Sequence, residues 1–333
     1  MNAKEFKALW VTEEKDGSFL QKIIHRNTDD LVSNGVLIKV EYSSLNYKDA
    51  LSAIGNKGVT KRYPHTPGID AAGIIESSDS PLFKQGDEVI VTGFDLGMNT
   101  NGGFGRYINV PVEWVVPKPE GLTLEESMIL GTAGFTAALS VYHLLRCGQL
   151  PGQGPILVTG ATGGVGSLAV ALLAGRKFEV IAATGKPDQA DFLKSLGAAS
   201  ILDRSETDDQ TNKSLLKPRW AGAVDTVGGN ILATVLKACS KQGNVCSCGN
   251  VGSPLLHTTV FPFILNGVNL LGVNSATTPM PLRYDLWLKL AGEWKPMDLQ
   301  RLRQSTSLDG LEEWIPKILS GKITGRVVIE HDE

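Results

Sequence analysis

From Thr159 to Gly166 the chain reads Thr-Gly-Ala-Thr-Gly-Gly-Val-Gly. Glycines let backbone N–H groups come close to an anion, and a helix that starts there adds partial positive charge. The apolar run 155–159 reads as a short buried strand and 167–173 as a helix. Strand, glycine turn and helix together make a cradle for a pyrophosphate. The expected contacts are Thr162, Gly163, Gly164, Val165 and Gly166, with the three glycines closest. The spacing departs from strict G-x-G-x-x-G, and an ordinary glycine-rich turn is the competing reading.

A second set of residues bears on which dinucleotide would sit there. Where an acidic residue binds the adenosine ribose, it lies about 20 positions past the glycines. Here the next strand, 178–183, runs into Thr184, Gly185 and Lys186 with no carboxylate at its tip. Asp188 follows Pro187 and reads as helix-start chemistry. Thr184 can donate a hydroxyl, Lys186 a charge, and Arg204, after the third strand, a planar clamp for a 2′-phosphate. Either cation alone reads equally as a solvated loop charge. Both at adjacent strand ends, without the acid, favour NADP(H) over NAD(H).

The elements that position these groups come from the pattern of apolar residues. Strand candidates are 155–159, 178–183, 200–202, 221–226, 243–247 and 268–273, and helix candidates between them include 163–174, 188–196 and 230–240. That alternation fits an α/β doubly wound parallel sheet with a nucleotide at its switch point. The first ~120 residues read instead as short strands (36–42, 73–76, 87–91) amid dense glycine and proline, which suggests an irregular barrel. Thr123-Leu-Glu-Glu126 fits a capping box that opens a long helix. Helices are expected around Trp287 and Trp314, and the strand 325–330 could rejoin the N-terminal β region.

Composition sets bounds on partners. The chain has 333 residues, 42% hydrophobic, with a formal net charge of −3 and no long basic run, which argues against disorder and against nucleic acid as main partner. No uninterrupted apolar stretch nears the ~20 residues of a membrane helix, and residues 1–7 lack the apolar core of a signal peptide, so a cytoplasmic protein is expected. Its 4 cysteines show no C-x-x-C pair, so free thiols are expected and a structural zinc site is not.

In order along the chain stand Ser43-Ser-Leu-Asn-Tyr-Lys-Asp49, Pro67-Gly-Ile-Asp-Ala-Ala-Gly73, Asn101-Gly-Gly-Phe-Gly105, Gly131-Thr-Ala-Gly-Phe-Thr-Ala137, the glycine turn, Asp225-Thr-Val-Gly-Gly229 and Pro262-Phe-Ile-Leu-Asn-Gly-Val268. As a set these resemble the zinc-free medium-chain dehydrogenase/reductase superfamily, and within it the YhdH/YhfP-type quinone oxidoreductase and acrylyl-CoA reductase branch. The resemblance implies a GroES-like catalytic barrel from residues 1–122 and 280–333, a Rossmann NADP-binding domain over 123–279, a cleft between them, and a homodimer through the Rossmann sheets. Zinc alcohol dehydrogenases carry a cysteine where this chain has Asn46 and Gly-His-Glu where it has Gly68-Ile69-Asp70. Isoleucine cannot ligate a metal, so no catalytic metal is expected.

By this resemblance Asn46, Tyr47 and Asp49 are the catalytic candidates. Asn46 and Tyr47 are suited to donate to an oxygen on which charge develops, and Tyr47 also contacts the nicotinamide end. Asp49 could orient Asn46, relay a proton, or simply cap the helix that starts beside it. Cofactor contacts extend to Asn250, Ile264 and Ser275, with main-chain contact or core packing as the alternatives for 262–265. The implied activity is NADPH-dependent hydride transfer to a small activated C=C or quinone. A short 2-enoyl-CoA such as acrylyl-CoA is the alternative, for which Lys57, Lys61 and Arg62 could grip phosphates. A non-catalytic NADPH-binding redox sensor is the alternative of another class.

Overall fold

The computed structural model describes residues 3–32 and 35–332. The chain divides into two compact units: Met1–Thr132 with Ala276–Ala291 and Asp298–Glu333, and Ala133–Ser275 with Gly292–Met297.

The first unit is built on the strand Val36–Leu45, in which Val36, Ile38 and Val40 alternate inward. This strand pairs antiparallel with Asp70–Ser78, Tyr107–Val110 and the late strand Arg326–Glu330. Glu88–Thr92 and Val116–Pro117 extend the sheet on one side, and Arg303–Thr306 pairs parallel with Arg326–Glu330 on the other. Arg326–Glu330, flanked on both sides, is buried at every position but its last. A hairpin of Glu5–Glu13 and Phe19–Asn27 lies alongside, joined by main-chain bonds between Val11 and His65 and from Leu9 N to Phe104 O. Helix Tyr47–Ala53 packs with helix Leu311–Leu319 through Ala50, Ala53, Leu311 and Ile315.

The second unit holds six strands, all parallel: Ile156–Val158, Val180–Thr184, Ser200–Asp203, Trp220–Asp225, Cys239–Ser247 and Asn269–Gly272. Counted within the unit, their spatial order is 3-2-1-4-5-6. This is a Rossmann sheet, reversing direction between its first and fourth strands. Near-continuous apolar strands such as Ile-Leu-Val at 156–158 suit a sheet covered on both faces.

The expected capping box is present. Glu126 N donates to Thr123 Oγ1 at 3.0 Å, and Thr123 N donates to Glu126 Oε2 at 3.0 Å. It opens Leu124–Arg146, a helix kinked at Gly131, whose φ is 51°. By length and composition this helix could cross a membrane, with mean hydropathy 1.5. It serves here as a core helix, 78% of that window being buried inside the protein. The strand containing Cys246 ends at Ser247, so Cys248 lies past it, its thiol directed to Asp225 O. Segment 262–265 sits in a short helix, Phe261–Asn266, with Pro262 buried and Phe263 packed against the core, but Ile264 67% and Leu265 58% exposed.

Candidate active site

The glycine turn is shaped by contacts that side chains would break. A Cβ on Gly166 would lie 2.2 Å from Gly160 O, and one on Gly160, itself at φ 58°, 2.4 Å from Thr226 Oγ1. The turn is also tied to the end of the fourth strand. Thr159 Oγ1 donates to Asp225 Oδ1 at 2.7 Å and accepts from Thr226 N at 3.0 Å, and Thr226 Oγ1 donates to Thr159 O at 2.9 Å. The other oxygen of Asp225 accepts from Gly228 N at 2.8 Å. Burial raises the Asp225 carboxyl above its usual range, and these donors act against that rise. The switch point is thus fixed by a buried acid that the sequence showed only as part of a motif. Helix Gly164–Gly175 starts from the turn, with Gly163 as its cap residue.

The residues expected around a 2′-phosphate come together at one corner of this unit. Thr184 stands opposite Asp203 in the sheet register, which brings Arg204 beside Gly185. A Cβ on Gly185 would meet the Arg204 guanidinium carbon at 3.4 Å. Thr184 Oγ1 lies 3.3 Å from Thr162 Oγ1 and accepts from Lys186 N at 3.0 Å, linking the corner to the glycine turn. Lys186 is half-buried, and desolvation lowers its pKa; Arg204 is exposed. Asp203, the acid nearest Arg204, caps the following turn by accepting from Ser205 Oγ at 2.6 Å and Ser205 N at 2.9 Å. Those bonds hold its carboxyl below the usual range.

The remaining candidates of this unit are less closely bound together. Asn250 is exposed on a loop, its Cα 3.2 Å from where a Cβ of Gly228 would fall. Ser275 Oγ accepts from Thr136 Oγ1 at 2.8 Å. Ile264 lies on the exposed short helix already described.

In the first unit Asn46 and Asp49 belong to a closed, buried network. Asn46 Nδ2 donates to Asp70 Oδ2 at 2.8 Å and lies 3.2 Å from both Asp49 Oδ2 and Ser44 O. Its carbonyl accepts from Arg326 Nη1 at 3.2 Å. The amide therefore offers a substrate no free N–H, so the donor role expected of Asn46 is not the one its geometry supplies. Asp49 accepts from Asn46 N at 2.8 Å and from Ile69 N at 2.8 Å, so it both caps its helix and orients Asn46. Burial, and then the neighbouring Asp70, push its carboxyl up to about 7. Tyr47, between them, is half-buried, and among the described residues its phenol has no hydrogen-bond partner. Asp70, Ser44, Thr132 and Arg326 complete the network; the first three stood in sequence motifs without a role, and Arg326 was not singled out. Among the described residues no group of three or more His, Cys, Asp or Glu could hold a metal ion.

Of the cations expected to grip a CoA phosphate, Lys57 is engaged. It pairs with Glu13 at 2.5 Å and lies over the rings of Phe19 and Tyr63. Lys61 and Arg62 are exposed.

Two family models match: the alcohol dehydrogenase GroES-like domain over residues 33–120 and the zinc-binding dehydrogenase over 164–288. YhfP of Bacillus subtilis, provisionally named a quinone oxidoreductase, is 45% identical over 91% of this chain and 92% of its own. The chain belongs to the zinc-free medium-chain dehydrogenase/reductase superfamily. Other members of the superfamily match as fully. The acrylyl-CoA reductase AcuI of Ruegeria pomeroyi is 42% identical over 98% of this chain and 99% of its own. The crystal structure of Bacillus subtilis YhfP with NAD bound superposes with a TM-score of 0.95 at 43% identity, covering 98% of this chain and 99% of that one. The YhdH oxidoreductase of Salmonella enterica, in complex with NADP, superposes with a TM-score of 0.94 at 40% identity, covering 97% and 99%.

Proposed function

We propose that this superfamily member is an NADPH-dependent oxidoreductase that reduces small activated alkenes or quinones without zinc. The observation that carries the reading is the corner where Arg204 lies against Gly185 beside Lys186 and Thr184, with Asp203 turned to cap its own loop. A planar cation and an ammonium suit a 2′-phosphate and have no comparable use for a bare ribose hydroxyl. NADP- and NAD-bound relatives share the fold, so this corner decides between the two cofactors for this chain.

The residues fit such a cofactor. Thr162, Gly163, Gly164, Val165 and Gly166 would hold its pyrophosphate, and Thr184, Gly185, Lys186 and Arg204 its phosphorylated ribose. Asn250, Ile264 and Ser275 would contact its nicotinamide half. When bound, the dinucleotide supplies hydride, and an alkene or quinone conjugated to a carbonyl accepts it with less polarisation than a simple ketone needs. Tyr47 donates to the oxygen on which charge then develops, a role open to it because its phenol is uncommitted. Asn46 and Asp49 hold the start of its helix.

A second reading, reduction of a short 2-enoyl-CoA, is favoured by the full-length likeness to the acrylyl-CoA reductase AcuI. In that case Lys61 and Arg62 are the cations left for phosphate, Lys57 being held by Glu13. Comparing kcat/KM for acrylyl-CoA, a simple quinone and a free enone with NADPH separates the two readings. NADPH binding without turnover of any acceptor would leave only a redox-sensing role.

We further place the protein in the cytoplasm, with residues 1–122 and 280–333 as the catalytic domain and 123–279 as the cofactor domain. We propose a homodimer formed through the edge strand Asn269–Gly272. One side of that strand is unpaired in the sheet order, and Leu255, Val260, Phe261, Leu265 and Leu270 are exposed along the same segment.

A further inference from the structure

The first unit buries two carboxylates, Asp49 and Asp70, in a hydrogen-bond network that also holds the guanidinium of Arg326. Such an arrangement is costly unless every lone pair and hydrogen is matched. Asp70 accepts from Ser44 Oγ at 2.7 Å, Asn46 Nδ2 at 2.8 Å, Thr132 N at 2.9 Å and Thr132 Oγ1 at 2.5 Å. Arg326 donates to Ser44 Oγ at 2.8 Å, Ile129 O at 3.1 Å, Asn46 Oδ1 at 3.2 Å and Leu45 O at 3.4 Å, and its Nη2 lies 3.7 Å from Asp70 Oδ2. Five of these eight hydrogen bonds converge on residues 44–46, directly before Tyr47.

Asn46 is the hub. Its amide is held by Asp70 and Arg326, its N–H by Asp49, and its carbonyl accepts from Asp49 N and Ala50 N in the first turn of the helix. Tyr47 is the next residue and the first of that helix, and its phenol has no hydrogen-bond partner among the described residues. A neutral packed core would hold the segment equally well against unfolding. What the charged network adds is direction: the guanidinium fork and the two carboxylates allow Asn46 a single amide orientation.

We propose that Asp70 and Arg326 are positioning residues for Tyr47, acting through Asn46. Resting on the assignment of Tyr47 as the substrate-facing donor, this adds two side chains that need not touch the substrate or cofactor. Ser44, whose hydroxyl joins Asp70 to Arg326, shares the role.

The test is a double-mutant cycle run on the full chain with NADPH and whichever acceptor the panel above shows to be reduced. Arg326→Lys and Ser44→Ala are made alone and together with Tyr47→Phe. Each of the two alone should lower kcat by about tenfold or more, with the NADPH Kd from fluorescence quenching held within about twofold. In the Tyr47→Phe background each should cost less than about twofold further. Losses that multiply across the two backgrounds would show a purely structural network and overturn the inference. So would an unchanged kcat in folded Arg326→Lys and Ser44→Ala proteins. If Tyr47→Phe alone leaves turnover intact, the Tyr47 assignment fails, and a fall in kcat confined to Arg326→Lys then shows that the network serves another group. Should Arg326→Lys fail to accumulate as folded protein, Ser44→Ala, which removes only a hydroxyl, carries the same cycle.

Discussion

Two buried carboxylates of this chain meet different ends. Hydroxyl and backbone donors act against the burial of Asp225, whereas burial, and then the neighbouring Asp70, push Asp49 up to about 7 despite its own backbone donors. Because that value lies above the ordinary 3.8, the folded protein keeps a proton that the unfolded chain has released between those two pH values. The contribution of Asp49 to stability is therefore full below about pH 4 and is lost as the pH rises to about 7. Melting temperatures measured from pH 4 to 8 should show the native protein losing stability relative to Asp49→Asn over that window; a constant difference would contradict the assignment. At the cofactor corner, replacing both Lys186 and Arg204 by alanine should weaken NADPH binding by about a hundredfold, since a charge-assisted hydrogen bond is worth about 1.5–3 kcal/mol. NADH binding should change far less, and calorimetric titration of both cofactors reads the contrast. These proposed cofactor residues could be picked out in the sequence because strand tips and glycines carry their chemistry locally. Asp70 and Arg326 could not, because their partners lie up to 282 residues away along the chain.

Elements bring such distant residues together, and the kink at Gly131 shows how. Its left-handed φ of 51° lets the long helix change course, and the space beside it is filled, since a Cβ there would lie 2.5 Å from Asp70 Oδ2. Gly131→Ala should lower stability by roughly 1–3 kcal/mol from backbone strain alone and more from the clash. Chemical denaturation measures it, and a loss under about 0.5 kcal/mol, the range of a neutral surface change, would show that the kink relaxes freely. The periodicity that marked the six parallel strands also marked their helices, because both faces of that sheet are covered and its strands read as apolar blocks. It did not reveal the hairpin Glu5–Glu13 and Phe19–Asn27, whose second strand is only half-buried and alternates weakly. Nor did it show that Ile264 and Leu265 would be exposed: apolar side chains look alike in sequence whether they face a core or an open surface.

For the whole molecule, that exposed segment bears on assembly. Introducing glutamate at Leu255 and Leu270 should shift sedimentation from dimer toward monomer while each subunit keeps its melting transition. An unchanged sedimentation coefficient would remove Asn269–Gly272 from the interface. The order of the motifs conveyed the broad fold, a barrel assembled from both parts of the chain with a parallel sheet inserted. Substrate was less legible, since it depends on side chains such as Lys57, whose charge the sequence shows but whose engagement by Glu13 it does not.

The strand Arg326–Glu330 closes the sheet begun by Val36–Leu45, and Arg326 reaches Asn46. A ribosome makes Asn46 early and must then translate the whole of the parallel sheet before Arg326 emerges. The inserted unit can fold while synthesis continues, but the surroundings of Tyr47 stay incomplete until those late residues are released. A nascent polypeptide lacking its last strand would therefore be able to hold a dinucleotide before it could use one.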